Sequence, residues 1–238
     1  MKHSKPYMVY LVLVTGLCLI GCTVPTTGIN WGSTWQEEFN ISSCQLMTTG
    51  ANPFFILEPG FQLTLEGGNE VLIITVLDET ALVDGVETRL VEEREWKNGI
   101  LVEVSRNFFA MCKDTEDVFY FGEEVDMYTD GKLSSHSGAW RAGIGNAEAG
   151  LMMAGSPKIG MKYYQEIAPS VAMDRAEIVG LDETLRTPAG EFDGCLKTQE
   201  GTALNPTEQE YKTYAPGIGL IQDARLLLTA YGQTDDDG

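Results

Sequence analysis

Val71-Leu-Ile-Ile-Thr-Val-Leu-Asp-Glu-Thr80 is the stretch that decides the fold. Its opening run, residues 71–77, is apolar or β-branched throughout, which is typical of a strand covered on both faces. Residues 100–105 instead alternate between a consistently apolar side and a more polar side, which indicates a strand with one wetter face. The two patterns predict a mainly β protein.

Three dipeptides separate or follow these strands: Asp84-Gly85, Asn98-Gly99 and Asp130-Gly131. Such pairs tolerate the two positive φ angles that a type I′ hairpin turn requires. The first half of the domain is therefore predicted to be an antiparallel meander.

The second half of the chain repeats features of the first. Leu77-Asp78-Glu79-Thr80 returns as Leu181-Asp182-Glu183-Thr184, and flanking Gly, Pro and aromatic residues recur in the same order. This predicts a β-rich domain over residues 54–231, built from two duplicated halves at about 54–135 and 157–231 with a connector at 136–156. The apolar faces of the two halves would complete one curved sheet, sandwich or open half-barrel.

The N-terminus predicts where this domain resides. Lys2 and Lys5 precede an apolar run, residues 7–20, which is too short to span a bilayer as a helix. Leu19-Ile20-Gly21-Cys22 then resembles a bacterial lipoprotein signal, which implies that residues 1–21 are removed and that Cys22 is acylated, palmitate being a typical chain. An ordinary cleaved signal peptide and a membrane anchor are the alternatives. Thr23 follows in place of aspartate, which favours the outer membrane, facing the periplasm, if the cell has two membranes.

Residues 22–53 are predicted to be the lipidated cysteine and a flexible tether, rich in Thr, Gly, Ser and Asn. Trp31 and Trp35 either sit at the lipid interface or dock on the domain, and docking is favoured. Residues 232–238 are predicted to be an acidic tail.

The charge balance excludes some partners. The chain has 16 basic and 35 acidic residues and a formal net charge of −19, and loss of Lys2 and Lys5 would make the charge more negative by two. Such a surface repels phosphate backbones and anionic head groups, so no nucleic-acid partner is expected. The predicted membrane partner is the bilayer itself, through acylated Cys22.

The cysteines downstream of Cys22 are Cys44, Cys112 and Cys195. An odd number allows one disulfide at most, and the sequence leaves open which two residues form it. None of them belongs to a Cys-x-x-Cys motif, which argues against a redox motif or a zinc knuckle.

Catalytic chemistry is limited by what the sequence contains. After the signal peptide the only histidine is His136, and no Gly-x-Ser-x-Gly elbow occurs. The acid pairs Glu92-Glu93, Glu123-Glu124 and Asp182-Glu183 are possible glycosidase groups, but neighbours in a strand face opposite ways. We therefore predict no catalytic residue, no metal site and no cofactor.

The connector, residues 136–156, carries the candidate ligand-binding residues Trp140, Met152 and Met153. Adjacent methionines beside a tryptophan suit an adaptable apolar contact or a lid. The alternative, which we favour, is a crossover that plugs the open end of the sheet with Trp140 and Met152.

Several motifs resemble a family of secreted bacterial proteins of uncharacterised function, over roughly residues 52–221. They include Asn52-Pro53-Phe54-Phe55, Asn107-Phe108-Phe109-Ala110, residues 118–123, residues 138–143, and Tyr214-Ala-Pro-Gly-Ile-Gly-Leu220. Residues 112–117 depart from an acidic, glycine-containing turn common in that family, which weakens any calcium site there. The architecture is also distantly similar to lipoprotein-carrier half-barrels that hold acyl chains, an analogy of fold alone.

We therefore expect a non-enzymatic envelope lipoprotein that binds an apolar ligand or a protein partner. The alternatives are an envelope hydrolase that uses carboxylates at the sheet rim and a purely structural envelope protein. A deep apolar cavity favours the first, two carboxyls that face one cleft favour the second, and neither feature is expected of the third.

Overall fold

A computed structural model describes residues 34–234. The predicted signal peptide, the lipidation site Cys22, Trp31 and the last four acidic-tail residues lie outside the described part. Those predictions therefore stay predictions.

Between residues 34 and 234 the chain forms eighteen strands, one 3-10 helix at Ile41–Ser43 and no α-helix, which confirms the mainly β class. The strands are β1 (Leu46–Met47), β2 (Ala51–Asn52), β3 (Phe55–Ile56), β4 (Phe61–Gly67), β5 (Glu70–Val83), β6 (Val86–Lys97), β7 (Ile100–Cys112), β8 (Val118–Thr129), β9 (Lys132–Ser135), β10 (Trp140–Arg141), β11 (Glu148–Met153), β12 (Lys162–Tyr164), β13 (Glu166–Ile167), β14 (Asp174–Thr187), β15 (Gly190–Thr202), β16 (Glu210–Ala215), β17 (Gly219–Asp223) and β18 (Leu226–Gln233). Over the described range, none of the chain forms a helix long and apolar enough to cross a membrane.

Sixteen of these strands form one antiparallel sheet, and β2 pairs with β3 apart from it. The main path of the sheet runs β12-β14-β15-β16-β17-β18-β4-β5-β6-β7-β8-β11-β13. Its two end strands, β12 and β13, are separated in sequence by Gln165 alone, so a single bent segment joins the two ends of the path. The sheet is therefore nearly closed into a barrel-like curve, which confirms the predicted curved sheet.

The three predicted hairpin turns are confirmed. Each pair has two positive φ angles: 48° and 79° at Asp84-Gly85, 55° and 75° at Asn98-Gly99, and 51° and 71° at Asp130-Gly131. Two-residue type I′ loops match the right-handed twist of the strands that they join. They set the register of β5, β6, β7, β8 and β9.

The two halves share local geometry at matched positions. Gly60 and Gly160 have φ angles of 83° and 82° in equivalent turns. The N–H of Gly60 donates to the carbonyl of Val76 and that of Gly160 to the carbonyl of Ile178, both at 2.8 Å. These turns precede β5 and β14, each of 14 residues. A duplication would leave such a correspondence, and the duplication itself remains a prediction.

The second part of the predicted tether, residues 34–53, packs against the sheet instead of extending freely. Gln36 forms a parallel bridge to Tyr163, and β1 pairs with β7. The Trp35 ring lies 6.2 Å from the Tyr164 ring, and the guanidinium of Arg175 lies 4.4 Å from the centre of the Trp35 ring. Cation–π and aromatic contacts therefore dock Trp35 on the domain, which is the alternative that the sequence favoured for this tryptophan.

The open choice of disulfide is resolved by the fold. Cys44 bonds to Cys112 across a Cα–Cα distance of 5.2 Å, and Cys195 is a buried free thiol. The bond joins the docked N-terminal segment to the end of β7. It holds this segment against the sheet.

The connector, residues 136–156, was predicted to plug the open end of the sheet. It instead contributes two strands to the sheet itself. Both β10 and β11 pair with β8. Trp140 packs edge-on against Tyr120 at 5.4 Å, and Met153 is fully buried in the main core. The predicted tail also begins later, because β18 continues to Gln233 and pairs there with Phe61.

Candidate ligand-binding cavity

A cavity lies inside the curve of the sheet, between β3 to β7 on one side and β16 to β17 on the other. The cavity has a volume of about 80 Å³, which exceeds the roughly 10–15 Å³ that one water requires. Its apolar lining comprises Phe55, Ile56, Phe61, Leu63, Ile74, Val76, Val91, Phe109, Met152, Tyr214, Ile218 and Leu220.

Strand periodicity explains this lining. Leu63 on β4 lies opposite Ile74 on β5, and Ile74 lies opposite Glu93 on β6. Residues directly opposite in an antiparallel sheet project to the same face, and residues two apart on one strand do so as well. The same face of three neighbouring strands therefore presents apolar side chains to the cavity, with the carboxyl of Glu93 among them.

Three charged side chains complete the cavity: Glu93, Lys212 and Asp223. The Nζ atom of Lys212 lies 3.4 Å from Asp223, 3.6 Å from Glu200 and 3.7 Å from Glu210. Burial by itself disfavours the charged lysine, but the attraction of these carboxylates outweighs it and raises the pKa of Lys212 well above its usual value. Lys212 is therefore protonated throughout the physiological range.

Glu93 differs from the three acids that pair with Lys212, because its carboxyl makes no hydrogen bond or ion pair with any described residue. Burial raises the pKa of Glu93 to about 7. Lys212 opposes the rise, while Asp223, Glu95 and Glu103 add to it. At neutral pH the cavity thus carries a carboxyl that is close to half ionised.

Replacement of Glu93 by glutamine should flatten the dependence of stability on pH. The raised pKa of Glu93 in the fold means that its stabilising contribution is complete below about pH 4.5 and is lost as the pH rises through about 7. The natural chain should therefore lose unfolding free energy between pH 5 and pH 8. We expect Glu93→Gln to lose about 2 kcal/mol less over the same range, a value that allows for the partial exposure of Glu93. Urea unfolding at both pH values measures this, and Glu87→Gln on the exposed part of β6 controls for the loss of a surface charge. Equal pH dependence in all three proteins would contradict the placement of Glu93.

Lys212 also lines two further cavities. One is polar and includes Gln165, Asp174, Glu200 and Glu210. The other includes Glu93, Glu95, Glu210 and Asp223, with Lys97 and Arg225 at its edge, where both cations pair with Glu70. Lys212 therefore stands where an apolar cavity meets two polar cavities, and carboxyls predominate around it.

A second group of acids lies on β8 and β13. Burial raises the pKa of Glu123 to about 8, and the carboxyls of Glu93 and Glu103 add to the rise. Burial also raises the pKa of Glu166 well above its usual value, and the carboxyls of Glu123 and Asp174 add to that rise. The Tyr120 hydroxyl donates a hydrogen bond to the amide oxygen of Asn107. The buried indole N–H of Trp140 has no acceptor within hydrogen-bonding geometry, although it lies near enough to Glu166 to oppose the rise of that pKa. Glu123 is therefore largely protonated at neutral pH, and burial favours the protonated form of Glu166 as well.

The acids next to Glu93 and Glu123 in the sequence, Glu92 and Glu124, lie on the opposite face of the sheet, as strand alternation predicts. Glu92 accepts a hydrogen bond from Arg94 at 2.6 Å and pairs with Arg106 at 3.0 Å. Glu124 pairs with Arg141, whose guanidinium lies over the ring of Phe108. The outward acids are neutralised by arginines, while the inward acids face the interior.

The candidate residues from the sequence are only partly brought together. Met152 lines the apolar cavity, Trp140 lies beside Tyr120 and Glu166, and Met153 is enclosed in the core. Cys22 lies outside the described residues. Within residues 34–234, no three or more His, Cys, Asp or Glu side chains converge as metal ligands.

Sequence reasoning missed two charged groups of the cavity, Lys212 and Asp223, and singled out Glu93 only as one of several possible glycosidase acids. One signal was present, since Glu210, Lys212 and Tyr214 follow one another at intervals of two residues along β16. That pattern fixes which side chains share a face but gives no indication of which face turns inward.

No family model, curated protein or solved structure matches the chain. The family resemblance carried by Tyr214-Ala-Pro-Gly-Ile-Gly-Leu220 therefore stays a prediction. In the structure this motif spans the end of β16 and the start of β17, and three of its residues line the apolar cavity besides Tyr214: Ile218, Gly219 and Leu220.

Proposed function

We propose that this protein is a non-enzymatic envelope lipoprotein that binds an apolar ligand inside its barrel-like sheet. The observation that carries the proposal is the cavity lined by four aromatic rings and a group of aliphatic side chains, with three charged groups at one side. Small-molecule sites typically combine such an apolar lining with a few placed polar groups. In this proposal the acyl chains on Cys22 hold the domain at the envelope membrane, the outer membrane if the cell has two.

The apolar lining favours a ligand on energetic grounds. Burial of apolar surface contributes roughly 25 cal/mol per Å², so a ligand that covers the rings of Phe55, Phe61 and Phe109 gains affinity without any specific hydrogen bond. Met152 adds a flexible, polarisable side chain that adapts to the shape of a ligand.

The hydrolase alternative receives less support from the acids. A glycosidase needs one carboxyl held protonated and a second held ionised. Burial raises the pKa values of Glu93 and Glu123 together, to about 7 and about 8. Two acids whose pKa values are both raised do not match the one protonated and one ionised carboxyl that a glycosidase uses.

A substitution that fills the cavity tests the proposal. Ile74→Trp places a large ring in the cavity, whereas Ile73→Trp places the same ring on the opposite face of β5. We expect the full chain to bind the neutral apolar dye N-phenyl-1-naphthylamine, Ile74→Trp to weaken binding at least tenfold, and Ile73→Trp to change it little. Fluorescence titration measures the three affinities.

Overpacking costs about 1–3 kcal/mol, so thermal unfolding of both variants must show that each is folded at the titration temperature. Dye binding that is equally strong in Ile74→Trp and in the natural chain would place the dye elsewhere and overturn the proposal. Absence of dye binding to the natural chain would also overturn it.

A further inference from the structure

We infer that the ligand is a cationic amphiphile, an apolar body that carries a protonated amine, and that the amine lies between Glu93 and Asp223 at the charged side of the cavity. This inference rests on the proposed function and specifies its ligand class. It follows from the balance of charge around the cavity.

One carboxyl of the apolar cavity has no partner among the described residues. Glu93 lines the cavity and makes no hydrogen bond or ion pair with a described residue. A buried or half-buried carboxylate is costly unless a cation or donors accompany it. An ammonium group placed at Glu93 supplies both charge and donors, since it carries N–H groups and no acceptor.

The cation that lines the cavity, Lys212, is shared among several acids. Lys212 lies within 3.7 Å of Asp223, Glu200 and Glu210, so three carboxyls draw on a single positive charge. Asp223 therefore retains attraction for a second cation. It lines the same cavity as Glu93.

The charges that line the cavity disfavour a negatively charged ligand. An anionic amphiphile in the cavity would meet Glu93 and Asp223, and its only cationic contact among the lining residues would be Lys212, which three carboxyls already engage. Like charges at such range repel. A neutral amphiphile avoids the repulsion but leaves Glu93 unpaired.

Binding should therefore depend on pH. Burial and the carboxyls of Asp223, Glu95 and Glu103 favour the protonated form of Glu93, and Lys212 favours the ionised form. A bound ammonium adds to the effect of Lys212 and releases the proton. The affinity for an amine should rise from pH 6 to pH 8, a range in which a primary amine stays protonated as a lysine does.

Three short amphiphiles with one apolar body test the inference: octylamine, 1-octanol and octanoate. Isothermal titration calorimetry on the full chain should give the tightest binding for octylamine, by about tenfold to a hundredfold over 1-octanol, as expected for a charge-assisted contact. Glu93→Gln should remove most of this preference. Glu92→Gln, one residue away on the outer face, should keep the preference.

The outcomes separate this inference from the proposed function. Equal affinity for the three compounds, or tighter binding of octanoate, would overturn the cationic ligand while leaving an apolar-ligand protein. A preference for octylamine that survives in Glu93→Gln would overturn the assigned position of the amine. Failure of all three to bind, in a chain that thermal unfolding shows to be folded, would overturn the inference and count against the proposed function.

Discussion

Replacement of Lys212 by methionine should lower the free energy of unfolding by about 3 kcal/mol at pH 8. Methionine keeps much of the side-chain length but leaves Asp223, Glu200 and Glu210 without their shared cation. Removal of one member of a buried ion pair costs about 3–5 kcal/mol, and the partial exposure of Lys212 places the expected value at the low end. The loss should shrink toward pH 5, because carboxyls without a counterion take up protons as the pH falls.

Urea unfolding at pH 5 and pH 8 measures this effect. Lys132→Met, at the exposed start of β9, removes a charge without touching the interior, and Lys212→Arg keeps the charge in place. If Lys212→Met costs no more than Lys132→Met at pH 8, Lys212 does not neutralise the interior acids.

Removal of the disulfide should destabilise the protein by roughly 4 kcal/mol. The bond between Cys44 and Cys112 spans a sequence separation of 68, and the chain-entropy relation for a loop of that length gives this value. We expect the double variant Cys44→Ala/Cys112→Ala to show this loss in urea unfolding under oxidising conditions.

Cys195→Ala is the matched control, since Cys195 is also buried but forms no disulfide. It should cost much less, because it removes only one sulfur atom from the core. A double variant no less stable than Cys195→Ala would contradict a structural role for the bond.

Much of the fold is predictable because its signals are local. Asp84-Gly85, Asn98-Gly99 and Asp130-Gly131 each encode a turn in two residues, and the apolar run at residues 71–77 encodes a covered strand. Such features depend on neighbours in the chain. They predicted the meander and its antiparallel pairing without knowledge of the remaining sequence.

The sequence favoured docking of Trp35, but it did not predict that residues 34–53 as a whole pack against the sheet. This packing depends on contacts with distant partners: Trp35 with Arg175, and Cys44 with Cys112. Composition describes only the segment itself and resembles that of a free linker. The disulfide choice likewise required the end of β7 to be placed beside β1.

The site was the least predictable part. Alternation separates Glu93 from Glu92, yet both are acids on one strand, and only the direction of sheet curvature decides which one turns inward. Lys212 reaches the same interior because the sheet curves between β16 and β6. Sequence reasoning placed Met152 among the candidate ligand contacts, but the charged groups beside it come from strands far apart in the chain.

Native mass spectrometry of the full chain, purified from its own cell envelope, tests the central claim most directly. The account predicts a bound small molecule that is released on denaturation, that carries an amine, and that is missing from the Ile74→Trp variant but retained by Ile73→Trp. A natural chain that is folded and carries no bound molecule, or one whose bound molecule persists in Ile74→Trp, would contradict the claim that the cavity inside the sheet is the binding site.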